Sequence, residues 1–139
     1  MLEYKIGTEV INWDALMQLY VETDGVVDLA RAGDLPRIQR AFRNSERVVT
    51  AWDGERLVGA GRLISDGVCY GWIHDMAVLP EYRKRGVGRG IVEALLEGNE
   101  HLLIGLRSVR EAVGFYGRLG FERHETSFTK YPEESDGAR

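Results

Sequence analysis

The segment Arg83-Lys84-Arg85-Gly86-Val87-Gly88-Arg89-Gly90 sets a run of cations ahead of closely spaced glycines. Glycines before a helix leave backbone N–H groups free to face an anion, and the helix dipole favours negative charge there. With no Cβ at Gly86 or Gly88, the backbone can approach a phosphate closely. The chemistry this pattern suits is capture of a phosphorylated cofactor. Just ahead of it, the apolar run Trp72-Ile73-His74-Asp75-Met76-Ala77-Val78-Leu79 ends at Pro80, so the anion site lies beside the end of a strand. A dinucleotide-binding fingerprint differs, because its glycines follow the strand in a tight turn within a βαβ unit. Taken alone, the segment also fits a surface loop with a solvated charge run.

The elements that must position these residues are legible along the chain. Leu2 to Ile6 suits a short strand. Asn12 caps a helix with Trp13, Leu16, Met17 and Tyr20 at helical spacing, and Asp24-Gly25 stops it. Asp34 caps a second helix, with Pro36 in its first turn and Ile38 and Phe42 facing inward. Arg47 to Trp52 alternates as a strand. Asp53-Gly54 turns it into Arg56–Ser65, and Asp66-Gly67 turns that into a strand over about residues 68–78. These three form an antiparallel meander. Ile91 to Leu96 reads as a helix ending near Gly98-Asn99, and Leu102 to Leu106 as a short strand. Arg110 to Leu119 reads as a helix weakened by Gly114 and Gly117 and stopped by Gly120. Phe121 to Lys130 suits a final strand. The predicted fold class is α/β in the α+β sense, a mixed sheet with helices rather than a βαβ repeat.

Composition narrows the function classes. A length of 139 residues fits one domain, placed over residues 1–131 with a polar, disordered tail over 132–139. The net charge of -4 argues against a general nucleic-acid binder despite Arg83-Lys84-Arg85. One cysteine, Cys69, allows no internal disulfide, and no paired Cys/His clusters suggest a metal. No apolar run approaches a membrane span, and Met1 to Lys5 lacks a signal-peptide pattern. A cytoplasmic protein without metal, membrane or nucleic-acid partners is expected.

Arg83-x-x-Gly86-x-Gly88, after a strand and before a helix, resembles the acyl-CoA-binding motif of the GNAT superfamily of N-acetyltransferases. Downstream, Ala112-x-x-Phe115-Tyr116-x-x-Leu119-Gly120-Phe121 is similar to that family's C-terminal motif, in which a tyrosine faces the cofactor sulfur. The resemblance runs over the element order from the first strand to about Tyr131. It implies a mixed, mostly antiparallel twisted sheet flanked by helices, with a splayed central strand pair. It implies acetyl-CoA as cofactor, with coenzyme A as product. The cofactor-binding residues it implies are Met76, Ala77 and Val78 along the pantetheine arm, Arg83, Lys84, Arg85, Gly86, Val87, Gly88 and Arg89 around the pyrophosphate, and Phe115 and Tyr116. In the family a bulge in the central strand opens the gap for that arm, and the Val78 N–H would point at the thioester oxygen.

The reaction implied is direct attack by an amine, with the Val78 N–H stabilising the oxyanion. The resemblance gives Tyr116 the role of protonating the leaving thiolate. An alkylammonium must lose a proton before it attacks. His74 is the first candidate base, because its pKa suits neutral operation and strict alternation puts it on the face of Val78. A buried, hydrogen-bonded histidine is the alternative. Asp75 is the second candidate, on the opposite face unless a bulge rotates it. One departure stands out: relatives often carry an asparagine seven residues before the tyrosine, and here that position is Val109, with Ser108 beside it.

Acceptor recognition falls to the first helices and the meander. Trp13 and Tyr20, with Glu22, Asp24 and Asp28, offer an acidic and aromatic rim suited to a cationic amine. Arg62 could bind an acidic group or pair with one of those acids. Core packing of Trp13 and Tyr20 is the alternative. The segment from Trp52 to Gly59, with Arg62 and Ser65-Asp66-Gly67, resembles short bacterial members related to arylalkylamine acetyltransferases. The expected function is acetyl transfer to a primary amine of a small molecule or peptide. The alternative is a non-catalytic acyl-CoA-binding module. A homodimer through an exposed final strand or helix face is compatible with either.

Overall fold

A computed structural model describes residues 1–23 and 30–133. The expected Asp24-Gly25 helix stop, Asp24 and Asp28 of the acidic rim, and residues 134–139 of the tail lie outside them. The chain divides into two compact units, Met1–Arg107 and a second from Ser108 onward.

In the first unit, β1 (Leu2–Ile6) leads to helix α1 (Trp13–Glu22). The Asn12 side chain accepts from the Ala15 N–H at 3.2 Å, and the Thr23 hydroxyl donates back to the Leu19 carbonyl at 2.8 Å where the helix ends. Helix α2 (Leu35–Arg43) is capped by Asp34, carries Pro36 in its first turn and ends with Arg40 and Arg43, which complement its dipole. Leu16, Leu19, Tyr20, Ile38 and Phe42 are fully buried, and each of the aliphatic and phenylalanine side chains contributes roughly 1.5–3 kcal/mol by leaving water.

The meander forms as expected: β2 (Arg47–Asp53), β3 (Arg56–Ser65) and β4 (Tyr70–Val78). β4 starts two residues later than the sequence suggests. The Asp66 carboxylate accepts from the N–H groups of Val68, Cys69 and Tyr70, which holds the turn closed up to Tyr70. Helix α3 (Val87–Leu96) starts four residues earlier than Ile91. Gly86, at φ 84°, is its N-cap, so Gly88 and Gly90 lie inside the helix. Gly90 makes room for Tyr4: a Cβ there would lie 2.2 Å from the Tyr4 ring, so the ring would have to shift. At the other end of α3, Arg47 donates to the carbonyls of Ala94 and Glu97, supplying from β2 the cation that the last turn lacks.

β5 (Leu103–Leu106) completes a five-stranded sheet of order β1-β2-β3-β4-β5. The first four strands are antiparallel neighbours, and β4 and β5 are parallel. This is the mixed, mostly antiparallel sheet that was expected. Gly59 and Gly61 of β3 turn toward Val87, Ile91 and Leu95, so α3 packs on that face. Arg62 turns to the opposite face, toward α2.

The second unit holds a 3-10 turn (Arg110–Ala112) and helix α4 (Val113–Arg118), stopped at Gly120 with φ 95°. The expected final strand is corrected: residues 121–130 form none. The run Glu122-Arg123-His124-Glu125 gives neither face of such a strand a continuous apolar surface, and Phe128 is almost fully exposed.

Candidate functional site

β4 and β5 stay paired only from Tyr70–Leu103 to Ile73–Leu106. Beyond Ile73, β4 keeps β3 alone as a strand neighbour among the described residues of this unit. Its second half, His74–Val78, therefore has an open backbone edge. The Leu79 N–H donates to the Val58 carbonyl on β3 at 2.9 Å. Backbone groups of successive residues alternate in direction, so the Val78 N–H and C=O point away from β3 toward the open edge. Arg83 Nε donates to that Val78 carbonyl at 3.2 Å, from the same side.

A bulge interrupts β4 at this place. Ala60 lies opposite Ala77 and Arg62 opposite His74, so Gly61 faces two residues, Asp75 and Met76. Asp75 has φ 58°, a left-handed conformation that costs a non-glycine residue roughly 1–3 kcal/mol. Gly61 accommodates the extra residue: a Cβ there would lie 2.5 Å from the Met76 sulfur. The bulge overturns the expectation from strict alternation. His74 pairs with Arg62 and Val78 with Gly59, positions on opposite faces of β3, so His74 and Val78 do not share a face. Ile73 and Ala77 part in the same way. The bulge does rotate Asp75 onto the face of Arg62 and His74, the exception the sequence left open.

On that face the groups are tightly engaged. Arg62 Nε donates to Asp75 Oδ2 at 2.7 Å, with both side chains about 15% exposed. The same guanidinium donates to the Ser45 hydroxyl at 3.2 Å and the Ala41 carbonyl at 3.3 Å, and lies over the Phe42 ring. Tyr20 Oη donates to the Asp75 carbonyl at 2.6 Å. Its phenol is buried, which together with the Asp75 charge holds its pKa well above the usual value. Tyr20 thus takes the core-packing alternative, with no exposed surface, and Arg62 pairs with an acid, Asp75, and with α2. Trp13, half-buried, packs edge-on against Phe42, with Arg43 over its ring.

His74 is half-buried beside the Trp72 ring. Burial lowers its pKa below the ordinary histidine value; Asp75 opposes the shift, while Arg62 and Arg107 add to it. The imidazole is therefore neutral at pH 7 and can accept a proton.

After Leu79, Pro80–Tyr82 forms a 3-10 turn, then Lys84 at φ 63° and Gly86 at φ 84° reverse the chain into α3. The first bond inside the helix runs from the Gly90 N–H to the Gly86 carbonyl. The N–H groups of Val87, Gly88 and Arg89 accordingly have no helical acceptor, and among the described residues no side chain caps them. The Val87 side chain is buried, so only its backbone can serve a ligand. Tyr82 anchors the turn, donating to Asp53 at 2.5 Å, which raises the phenol pKa and lowers that of the carboxylate. Arg85 lies over the Tyr82 ring at 4.6 Å, and Arg56 pairs with Glu81 at 2.8 Å. Arg89 pairs weakly with Glu93 at 3.4 Å. An N-terminus that lacks a side-chain cap and is flanked by cations fits the phosphates of a nucleotide cofactor.

In the second unit, the Tyr116 ring touches those of Phe115 and Phe121 at centroid distances of 4.9 and 5.9 Å. Burial raises the Tyr116 pKa, so the phenol keeps its proton at neutral pH. The Tyr116 carbonyl accepts from Leu119 and Phe121, closing the helix end. The Ser108 hydroxyl donates to the Val109 carbonyl at 2.7 Å, and the Val109 side chain is about half exposed.

Sequence reasoning missed the Arg62–Asp75 pair and the Tyr82 anchor. A signal for the first was available: counting back from the Asp66-Gly67 turn pairs Ser65 with Gly71 and Arg62 with His74. Among the described residues, no group of His, Cys, Asp and Glu could hold a metal ion, and no helix is long and apolar enough to cross a membrane.

Residues 44–123 match the family described as acetyltransferase (GNAT) domain, more than half of the chain. The chain is similar to the chloroplastic GCN5-related N-acetyltransferase 2 of Arabidopsis thaliana, with 37% identity over 50% of this chain; that match spans 30% of the plant protein's length. Its fold resembles that of a GNAT-family acetyltransferase from Streptococcus pneumoniae, with a TM-score of 0.80 and 25% identity over 96% of this chain and 100% of the other. It also resembles an acetyltransferase-like protein of the same family from Xanthomonas campestris, with a TM-score of 0.77 and 24% identity over 95% of this chain and 94% of the other. Together with the capless helix start and the strand that parts from its neighbour, these matches show that the chain belongs to the GNAT acetyltransferase family.

Proposed function

We propose that the protein transfers an acetyl group from acetyl-CoA to a primary amine of a small molecule or peptide. The observation that carries this reading is the open edge of β4, with the Val78 N–H facing out where the strand runs into the uncapped start of α3. Acetyl-CoA, when bound, supplies an activated acyl thioester. The backbone N–H groups of Val87, Gly88 and Arg89 would hold its phosphates, with Lys84 and Arg85 adding charge. Met76, Ala77 and Val78 would line the arm, and the Val78 N–H would donate to the carbonyl oxygen as negative charge develops. Arg83 must release the Val78 carbonyl if that carbonyl is to accept from the arm.

His74, neutral at pH 7, takes the proton from the incoming ammonium. Asp75 is less available, because its carboxylate is held by Arg62. Tyr116, with Phe115 beside it, keeps its proton at working pH and gives it to the departing thiolate, a role supported by the family's C-terminal motif. The second reading, an acyl-CoA-binding module without turnover, is favoured by one observation. Where the family resemblance often implies an asparagine for the cofactor, this chain has the exposed Val109, and the Ser108 hydroxyl is engaged by its own neighbour.

Adding acetyl-CoA, coenzyme A or ATP to the protein and recording the thermal midpoint tests the cofactor site. A rise with acetyl-CoA but not ATP is expected. An amine screen reading thiol release then tests turnover. Tyr116→Phe should lower kcat by about 10²–10⁴-fold while keeping the midpoint rise. A midpoint rise with no thiol release from any amine selects the binding module; no rise at millimolar ligand overturns both readings.

A further inference from the structure

The left-handed Asp75 is held from three elements at once. Its carboxylate is bound by Arg62 of β3, and its carbonyl accepts from Tyr20 of α1. Arg62 is in turn bound to the end of α2, through the Ala41 carbonyl and the Ser45 hydroxyl. All these contacts converge on the residue where β4 changes register. A strand that slips by one residue exchanges its faces, so whatever holds the bulge decides the faces beyond it. Gly61 on the other face makes room for Met76 but cannot grip it. The grip comes from Arg62 and Tyr20.

We propose that Arg62 is a positioning residue, assisted by Tyr20. By holding Asp75 it fixes the bulge in β4, and so sets both the outward direction of the Val78 N–H and the place of His74. The proposal deepens the function proposed above and rests on it for its catalytic consequence, while its structural part stands alone. It gives Arg62 and Tyr20 a different task from contact with the acceptor. It also separates the two candidate bases: Asp75 serves the strand and His74 serves the proton. The charged and titratable groups that bear on His74 are Asp75, Arg62 and Arg107.

Arg62→Met removes the charge and the hydrogen bonds while keeping a long side chain; Arg62→Lys returns the charge. Amide hydrogen exchange of residues 73–79, measured against the rest of the sheet, reads the bulge without any need for turnover. Faster exchange confined to this segment in Arg62→Met, partly reversed in Arg62→Lys, is expected. Unchanged exchange there, or an equal rise across the whole sheet, overturns the proposal.

In turnover, Arg62→Met should lose at least tenfold in kcat, with KM for acetyl-CoA changing less than threefold. The acid limb of its pH profile should move to higher pH, since the cation that disfavours His74 protonation is gone. Asp75→Asn should move that limb to lower pH. A limb that stays in place in both variants overturns the catalytic part. If Arg62→Met does not fold, Tyr20→Phe, which loses a single hydrogen bond, carries the same exchange measurement. A wild type that turns over no amine strikes down the proposed function, and the exchange result still decides the clamp.

Discussion

The first half of β4, Tyr70–Ile73, is flanked by β3 on one side and β5 on the other, whereas the second half, His74–Val78, pairs with β3 alone. The paired half is built for close packing. Gly71 is buried, and a Cβ there would lie 2.7 Å from Ile104 Cδ1 and 3.0 Å from Leu63 Cδ1. The unpaired half contains the left-handed Asp75, the half-buried His74 and the outward Val78 N–H. A strand flanked on both sides has no backbone group left for a ligand. One released from its neighbour has a row of them, held in place by the ladder on its other side. The strand is half scaffold and half edge, and the bulge marks the changeover; the proposed site uses the edge.

Of the tests that separate the two halves, the largest effect falls on the unpaired one. Val78→Pro removes an N–H that β3 does not use, so the ladder loses no bond and proline is tolerated as on an edge strand. Turnover should fall about 10²–10³-fold, the usual loss for one oxyanion donor, while the thermal midpoint without ligand changes little. Steady-state kinetics beside a melting curve checks both. Turnover within threefold of wild type would mean that the Val78 N–H is not the donor and that the open edge serves binding only.

The next effect tests the paired half. Gly71→Ala places a methyl against Ile104 and Leu63, and overpacking of this kind costs roughly 1–3 kcal/mol. Denaturant unfolding should show that loss, with turnover per folded molecule unchanged. Ile104→Val in the same background removes the Cδ1 methyl that the new Cβ meets and should restore at least half of it. Additive effects of the two substitutions would show that they do not meet.

Much of the paired scaffold was legible in the sequence. Asn12, Asp34 and the Asp53-Gly54 and Asp66-Gly67 turns punctuate the chain with side-chain chemistry that acts locally, and β1, β2, β3 and both early helices appear where these residues put them. The glycine segment after β4 was legible for the same reason. The unpaired half was not, because a bulge is a relation between two strands. Nothing in the order Ile73-His74-Asp75-Met76 shows that Gly61, twelve or more residues earlier, will face two of them. Alternation therefore put His74 and Val78 on one face. The final strand failed for another reason. Residues 121–130 have strand-like length but no apolar face, and the length alone does not make a strand. Tyr20 lies in the core, the alternative its helical spacing left open, and Arg62 does pair with an acid, but with Asp75 across the bulge rather than with the acids of the first helices.

The smallest effect comes from the proton on His74. In the unfolded chain this histidine takes up a proton near pH 6.5, whereas burial in the native state holds its pKa lower. Between those two values the unfolded chain binds more protons, so its contribution to stability is present above about pH 7, falls as pH drops through the unfolded value, and levels off below the folded one. His101 and His124 are exposed, and the carboxylates of Asp53, Asp66 and Glu81 are held below the ordinary carboxylate range, so they titrate below this window. A melting series from pH 7.5 to 5.0 should therefore show a decline in wild type that is smaller in His74→Gln. Parallel declines in the two proteins would place the unfavourable proton elsewhere and leave His74 as exposed to water as the other two histidines. In that case the second half of β4 would differ from the first in backbone pairing alone, not in the environment it gives its side chains.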